Sequence, residues 1–353
     1  MNNDTVFGNM TGNFVDDGLP PRFFTLRSRK GMELTFMDIG ATWLSCRLPV
    51  RGTPREVLLA SPSLDAHFSQ RAYLGSTVGR YANRIAGGRY FHEGKTVHLD
   101  INQPPNCLHG GSHGFHRRRW RAKQVDDGLV VFSLESMDGD QGFPGALWVD
   151  VRFELIEDFS LCIHYQAQVS KPCPVNLTNH ACINLAGAES GETVFSHQLM
   201  INARHYLPVD ATQIPTGDIT PVEGSVFDFT HAKPIGERIA MEPEQMVASG
   251  YDHTFLLDES CQDGLALAAR LESPDGFLAM EVKTTKPALH LYTGNLLDSA
   301  VSRRGDHYCR YAGLALETQL FPDAPNHPEW QQPDCFLKPD QIYHYHTMYR
   351  FCL

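Results

Sequence analysis

The 353-residue chain carries 30 Lys and Arg against 41 Asp and Glu, a formal net charge of −11, and 42% of its residues are hydrophobic. That apolar fraction supports a sizeable core and excludes disorder as the overall state, while the acidic balance argues against nucleic acid as the main partner. No run reaches membrane-spanning length, so no membrane association is expected.

The opening stretch Met1 to Asp17 is polar and slightly acidic, unlike a secretory signal, and residues 1–22 read as a peripheral segment. Strand patterns follow. Met32, Leu34 and Phe36 alternate with polar partners, and Val97 and Leu99 do so beside His98 and Asp100. The stretch Ser61 to Ala72 has room for a short helix. Asp138 to Gly145 is a Gly- and Asp-rich shaped loop, after which Leu161 to Ala167 resumes the two-residue period. A second short helix is expected within Pro234 to Met246. Leu278, Met280 and Val282 then alternate with Ala279, Glu281 and Lys283, before Leu289-His290-Leu291-Tyr292.

Helices do not recur with strands as a βαβ fold requires, and no dinucleotide fingerprint or Walker loop is present. Gly110-Gly111-Ser112 has the glycines of such a loop without its lysine and spacing. The expected fold is all-β, a large antiparallel β-sandwich whose long loops build a site at one edge. No interior segment reads as a flexible linker, so residues 1–353 form one expected domain. Nine scattered cysteines fit a reducing cytoplasm, which makes Asn176-Leu177-Thr178 a chance glycosylation match. The basic run Arg117-Arg118-Arg119 reads as a surface cluster rather than a phosphate site.

Several segments carry chemistry. In Gly79 to Ile85, the amide of Asn83 and the guanidinium of Arg84 can donate to the oxygens of a polyhydroxy ligand. His109 leads into two glycines and suits a donor pointing into a pocket; with His113 and His116 it lacks the helical spacing of a zinc site, so no metal is expected. In Val175 to His180, entered through Pro172 and Pro174, the two-residue period puts Asn176, Thr178 and His180 on one polar strand face. Glu317 lies among Leu314, Leu316, Leu320 and Phe321, a context that raises a carboxyl pKa towards the useful range for a general base. Tyr251-Asp252 pairs an aromatic ring with an acceptor for sugar hydroxyls, and Pro322 to Trp330 is a proline-rich brace after Glu317. These features define a neutral polyol site with an acid and a base. They leave epimerisation, hydrolysis and simple binding open.

The same blocks, with Tyr292 to Asn295, occur in the order found in the aldose 1-epimerase, or galactose mutarotase, family, which the chain resembles from about Phe24 to about Tyr345. The resemblance implies a β-supersandwich, monomeric or weakly dimeric, that interconverts the α and β anomers of free aldohexoses such as D-galactose and D-glucose without a cofactor. It implies Glu317 as general base on the anomeric hydroxyl, His180 as general acid on the ring oxygen, and His109 as a stabiliser of developing charge. Asn83, Arg84 and Asp252 would hold other hydroxyls. The chain departs from the family pattern at Cys182-Ile183, where an aromatic pair is usual, and at His290, where glutamine is frequent. His290 is therefore expected to alter sugar contacts, through preference or pH response. The alternatives are a hexose-phosphate 1-epimerase, a glycoside hydrolase using Asp252 as its second carboxylate, and a non-catalytic sugar-binding protein.

Overall fold

Alternation sets the architecture. In the strand Leu147–Ile156, Leu147, Val149, Val151 and Phe153 are buried while Trp148, Asp150 and Arg152 face outward. The computed structural model describes residues 19–156, 159–239 and 243–353. Leu147–Ile156 belongs to a nine-stranded sheet. Its order is Arg121–Asp126, Leu129–Ser136, Leu147–Ile156, Ser160–Val169, Tyr343–Cys352, Ala279–Thr284, Ala269–Glu272, Gln198–Ile201 and Lys233–Pro234. Every neighbouring pair is antiparallel. The C-terminal strand thus sits in the middle, tying the last residues to the centre of the core.

A five-stranded antiparallel sheet supplies the site. It runs Thr220–Pro221, Ala203–Leu207, Asp252–Leu257, Ala288–Tyr292 and Ala315–Gln319. Phe255, Leu289, Leu291 and Leu316 enter the main hydrophobic core, which also takes Tyr165 and Tyr349 from the nine-stranded sheet. The Tyr349 hydroxyl donates to the Leu316 carbonyl at 3.2 Å, joining the two sheets. The period of two then sends Asp252, Thr254, His290, Tyr292 and Glu317 to the opposite face. That face is also buried: Ala288–Tyr292 and Ala315–Gln319 have no exposed residue. Loops close over it, so its polar side chains line a cleft rather than bulk solvent.

A four-stranded sheet, Phe23–Arg27, Glu33–Met37, Thr42–Val50 and Thr53–Glu56, packs its apolar side chains into the same core. The predicted helix in 61–72 is present as Leu64–Ser69, its first turn capped by the Ser63 hydroxyl, which accepts from the Ala66 N–H at 3.2 Å. The single helix expected in 234–246 divides into a 3₁₀ turn at Ile235–Arg238 and a helix at Pro243–Ala248. Proline lacks an N–H and fixes φ, which suits a helix's first residue and opposes continuation through it. The expectation for Met1 to Asp17 lies outside the described residues. At the end of the 1–22 segment, the Arg119 guanidinium donates to the carbonyls of Leu19 and Pro20, and the Arg22 N–H donates to Asp38.

Candidate active site

Three walls meet over the five-stranded sheet. The floor carries Glu317, His290 and Asp252 from adjacent strands, with Glu317 opposite His290 and His290 opposite Thr254 in the register. His180 forms a second wall, just after the two-residue strand Thr178–Asn179, which pairs with Thr77–Val78. Asn83, Arg84 and His109 form the third, around the ladder in which Arg84 pairs with Leu108. All seven residues line one cleft of about 420 Å³, its open mouth included, together with Arg71, Tyr73, Gln103, Tyr292 and Leu296.

His180 Nε2 lies 3.3 Å from Glu317 Oε1, with both residues buried. Burial pushes the Glu317 carboxyl well above its ordinary range; the negative charge of Asp252 adds to this and Arg84 opposes it. Burial pushes His180 down to about 4, against the pull of its own backbone carbonyl and of Asp252. Both shifts have the same leading cause: burial disfavours the charged form of each group. The pair therefore prefers its neutral form, with one proton that can move between carboxyl and imidazole.

His109 has an assigned tautomer. Its Nδ1 accepts the Asn83 backbone N–H at 3.1 Å, so the ring proton sits on Nε2 and is available to a ligand. Burial first, and then the charges of His180 and Arg84, push its pKa well below the ordinary histidine value, keeping it a neutral donor. Asn83 and His109 both have left-handed backbones, with φ of 67° and 51°, costly for non-glycine residues and justified here by this mutual contact. Gly110 follows because a Cβ there would lie 2.0 Å from the Gly79 carbonyl oxygen.

Asp252 is the opposite of Glu317. Burial raises its pKa, but Arg84 and the hydrogen bond from His290 outweigh it and hold the carboxyl well below its usual range. His290 Nε2 donates to Asp252 Oδ1 at 2.6 Å, and its Nδ1 is 2.8 Å from the Thr254 hydroxyl. Thus His290 positions Asp252 through a charge-assisted bond. His290→Gln is expected to change sugar KM by about two- to tenfold while kcat stays within about twofold, since one hydrogen bond to a charged group is rearranged. Kinetics with galactose and glucose measure this; superimposable values for parent and variant would leave His290 a packing residue.

The polar stretch before His180 has a different purpose from the one its period implied. Asn176 and Thr178 do not join His180 on a ligand-facing surface, because only Thr178–Asn179 is a strand. Asn176 instead bonds the Ala82 and Leu320 carbonyls and accepts the Leu320 N–H, while Asn179 donates to the Gly75 carbonyl. These amides replace missing sheet partners for buried backbone. Arg80, four residues from Arg84, likewise faces away from the cleft and donates to Ser136 and to the carbonyls of Met137, Pro144 and Gly145. His113 is exposed and His116 packs against the Tyr73 ring, so the three histidines of that loop do not converge. The Arg117 to Arg119 run is spent on Phe68, Asp140 and Asp38.

The 322–330 segment does brace the site. Asp323 accepts the Ala86 N–H and its own N–H donates to the Arg84 carbonyl, while the Trp330 indole donates to the Gly217 carbonyl. Tyr73 was not legible in the sequence. Its ring packs edge-on against His109 at 4.6 Å and lies 5.8 Å from His180, forming an apolar rim to the acid–base centre.

A buried carboxyl–imidazole pair, flanked by a neutral imidazole donor and an ionised carboxylate on a β-supersandwich, is equipped to move a proton at a small ligand. A family model described as aldose 1-epimerase matches residues 22–350. The chain is 47% identical over 344 residues to the aldose 1-epimerase of Escherichia coli strain K12, covering 97% of this chain and 99% of that one. Two solved structures are similar in fold. An aldose epimerase homologue from C. elegans has a TM-score of 0.85 at 29% identity, covering 94% of this chain and 99% of that chain. A galactose 1-epimerase from Lactobacillus acidophilus NCFM has a TM-score of 0.82 at 28% identity, covering 95% and 96%. The chain belongs to the aldose 1-epimerase family, and epimerase activity at the anomeric carbon of an aldose is what that membership supports.

Proposed function

We propose that this protein interconverts the α and β anomers of free aldohexoses, with D-galactose and D-glucose as its substrates. The observation that carries the reading is the buried contact between His180 Nε2 and Glu317 Oε1 at 3.3 Å in a cleft that also holds His109, Arg84 and Asp252. Glu317 takes the proton of the C1 hydroxyl as the C1–O5 bond breaks; the electron pair of that bond goes to O5, which receives the proton of His180. The product is the open-chain aldehyde. Rotation about C1–C2 presents the other carbonyl face, O5 attacks C1, His180 recovers its proton and Glu317 returns its own. Atoms and charge balance without a redox partner.

Burial of the pair favours this exchange. Transfer converts a carboxylate–imidazolium pair into the neutral pair, the form that burial prefers. Ring opening is thereby coupled to relief of buried charge. The His109 Nε2–H donates to oxygen where negative charge develops, and Asn83, Arg84 and Asp252 hold the remaining hydroxyls, with His290 orienting Asp252.

Free sugars fit better than phosphorylated ones, because Arg84 is already engaged by Asp252, Gln103 and Gln213. A hydrolase would require Asp252 to act opposite Glu317, whereas its bonds to His290 and Gln213 tie it into a binding network. The nine free thiols support a cytoplasmic setting, and a monomer or weak homodimer is the proposed state. Polarimetry of freshly dissolved α-D-galactose and α-D-glucose tests the function. Faster approach to the anomeric equilibrium than in buffer is the expected result; no acceleration with either sugar would reject it.

A further inference from the structure

We propose that Gln213 is a substrate-positioning residue, its amide bridging Arg84 to Asp252 and fixing the two charged groups that grip the sugar away from the reacting carbon. The inference rests on the epimerase reading. The Gln213 Oε1 accepts from Arg84 Nη2 at 2.5 Å, and its Nε2 donates to Asp252 Oδ2 at 3.0 Å. Arg84 and Asp252 themselves approach only to 3.5 Å. The amide therefore completes a closed circuit in which each charge is satisfied by a neutral dipole as well as by the other charge. Gln103 holds the guanidinium from another side, accepting from Arg84 Nε at 2.7 Å. Together these contacts set the direction of the remaining Arg84 donors and Asp252 lone pairs.

Gln213 is built into this position. Its backbone is left-handed, with φ of 62°, in a tight turn where the Asp210 carboxylate accepts the N–H groups of Thr212 and Ile214 and the Asp210 carbonyl accepts that of Gln213. Asn106, from the wall that carries His109, donates to the Thr212 carbonyl at 3.2 Å. The loop is thus pinned both internally and to the opposite wall, and from outside the five-stranded sheet its amide reaches Arg84 and Asp252, which line the cleft. Glu317 and Asp252 stand on strands separated by Ala288–Tyr292. A hexose with C1 at Glu317 consequently spans to Arg84 and Asp252 with its more remote hydroxyls. Gln213 acts there, away from the proton path.

The test compares Gln213→Met, which keeps length but removes donor and acceptor, with Gln213→Ala and the parent. Kinetics by polarimetry with both sugars are read beside melting temperature and galactose titration calorimetry. Both variants are expected to raise KM about tenfold or more with kcat within about twofold, corresponding to lost hydrogen bonds to charged groups. Melting temperatures are expected to stay within a few degrees of the parent. Unchanged KM and sugar affinity in both variants would overturn the proposal, as would a fall in kcat accompanied by a large loss of melting temperature. A parent that binds galactose without accelerating mutarotation would reject the epimerase reading alone, and calorimetry would still decide Gln213. A parent that neither turns over nor binds the sugars would overturn both.

Discussion

Glu317→Gln is expected to lower kcat by about 100- to 10,000-fold while changing KM far less. Glutamine fills the same volume and can still hydrogen-bond a hydroxyl, but it cannot take its proton. The environment makes this loss hard to bypass. Glu317 is 1% exposed, so bulk water does not substitute readily as a base. Its Oε2 has no hydrogen-bond partner among the described residues, leaving a lone pair for the C1 hydroxyl while Oε1 faces His180. The elevated pKa also brings proton affinity closer to that of the reacting hydroxyl, which strengthens a general base. Initial rates at saturating and subsaturating galactose separate kcat from KM. A raised KM with unchanged kcat would show that Glu317 binds sugar and does not transfer its proton.

His180→Asn is expected to cost a similar factor, about 100- to 10,000-fold in kcat, since asparagine can bond O5 but cannot protonate it. The pH profile makes the assignment sharper. The working pair holds one proton. Because His180 is pushed down to about 4, mainly by burial, the parent kcat/KM is expected to fall only below about pH 4, where a second proton occupies the pair and no base remains. At alkaline pH it falls again when the pair loses its only proton, and the raised Glu317 places that limb above the ordinary carboxylate range. These apparent values belong to the coupled pair. In His180→Asn the acid limb becomes that of Glu317 alone and moves upward. Rates corrected for spontaneous acid- and base-catalysed mutarotation provide the measurement; an unmoved acid limb would remove His180 from the proton path.

Much of the site was readable because strand periodicity is local. Leu289-His290-Leu291-Tyr292 and Leu314 to Gln319 place polar groups between apolar neighbours, and alternation assigns the two sets to opposite faces. The same reasoning misjudged Asn176 and Thr178. At Asn176 the polarity reflects buried backbone needing partners, which a one-dimensional pattern does not distinguish from a ligand-facing surface. Arg80 and Arg84 illustrate the same ambiguity: two arginines in one heptad, one pinning a loop by five bonds and the other lining the cleft.

Composition and period determine that the chain is a β-sandwich and that His180 and Glu317 interrupt its apolar pattern. Tertiary structure decides that these two, 137 positions apart along the chain, meet at 3.3 Å, and that Gln213 joins Arg84 across 129 residues. Those contacts depend on how loops close over the second face of the five-stranded sheet. Such closure is selected by packing and hydrogen-bond satisfaction throughout the molecule, so no local window of sequence contains it.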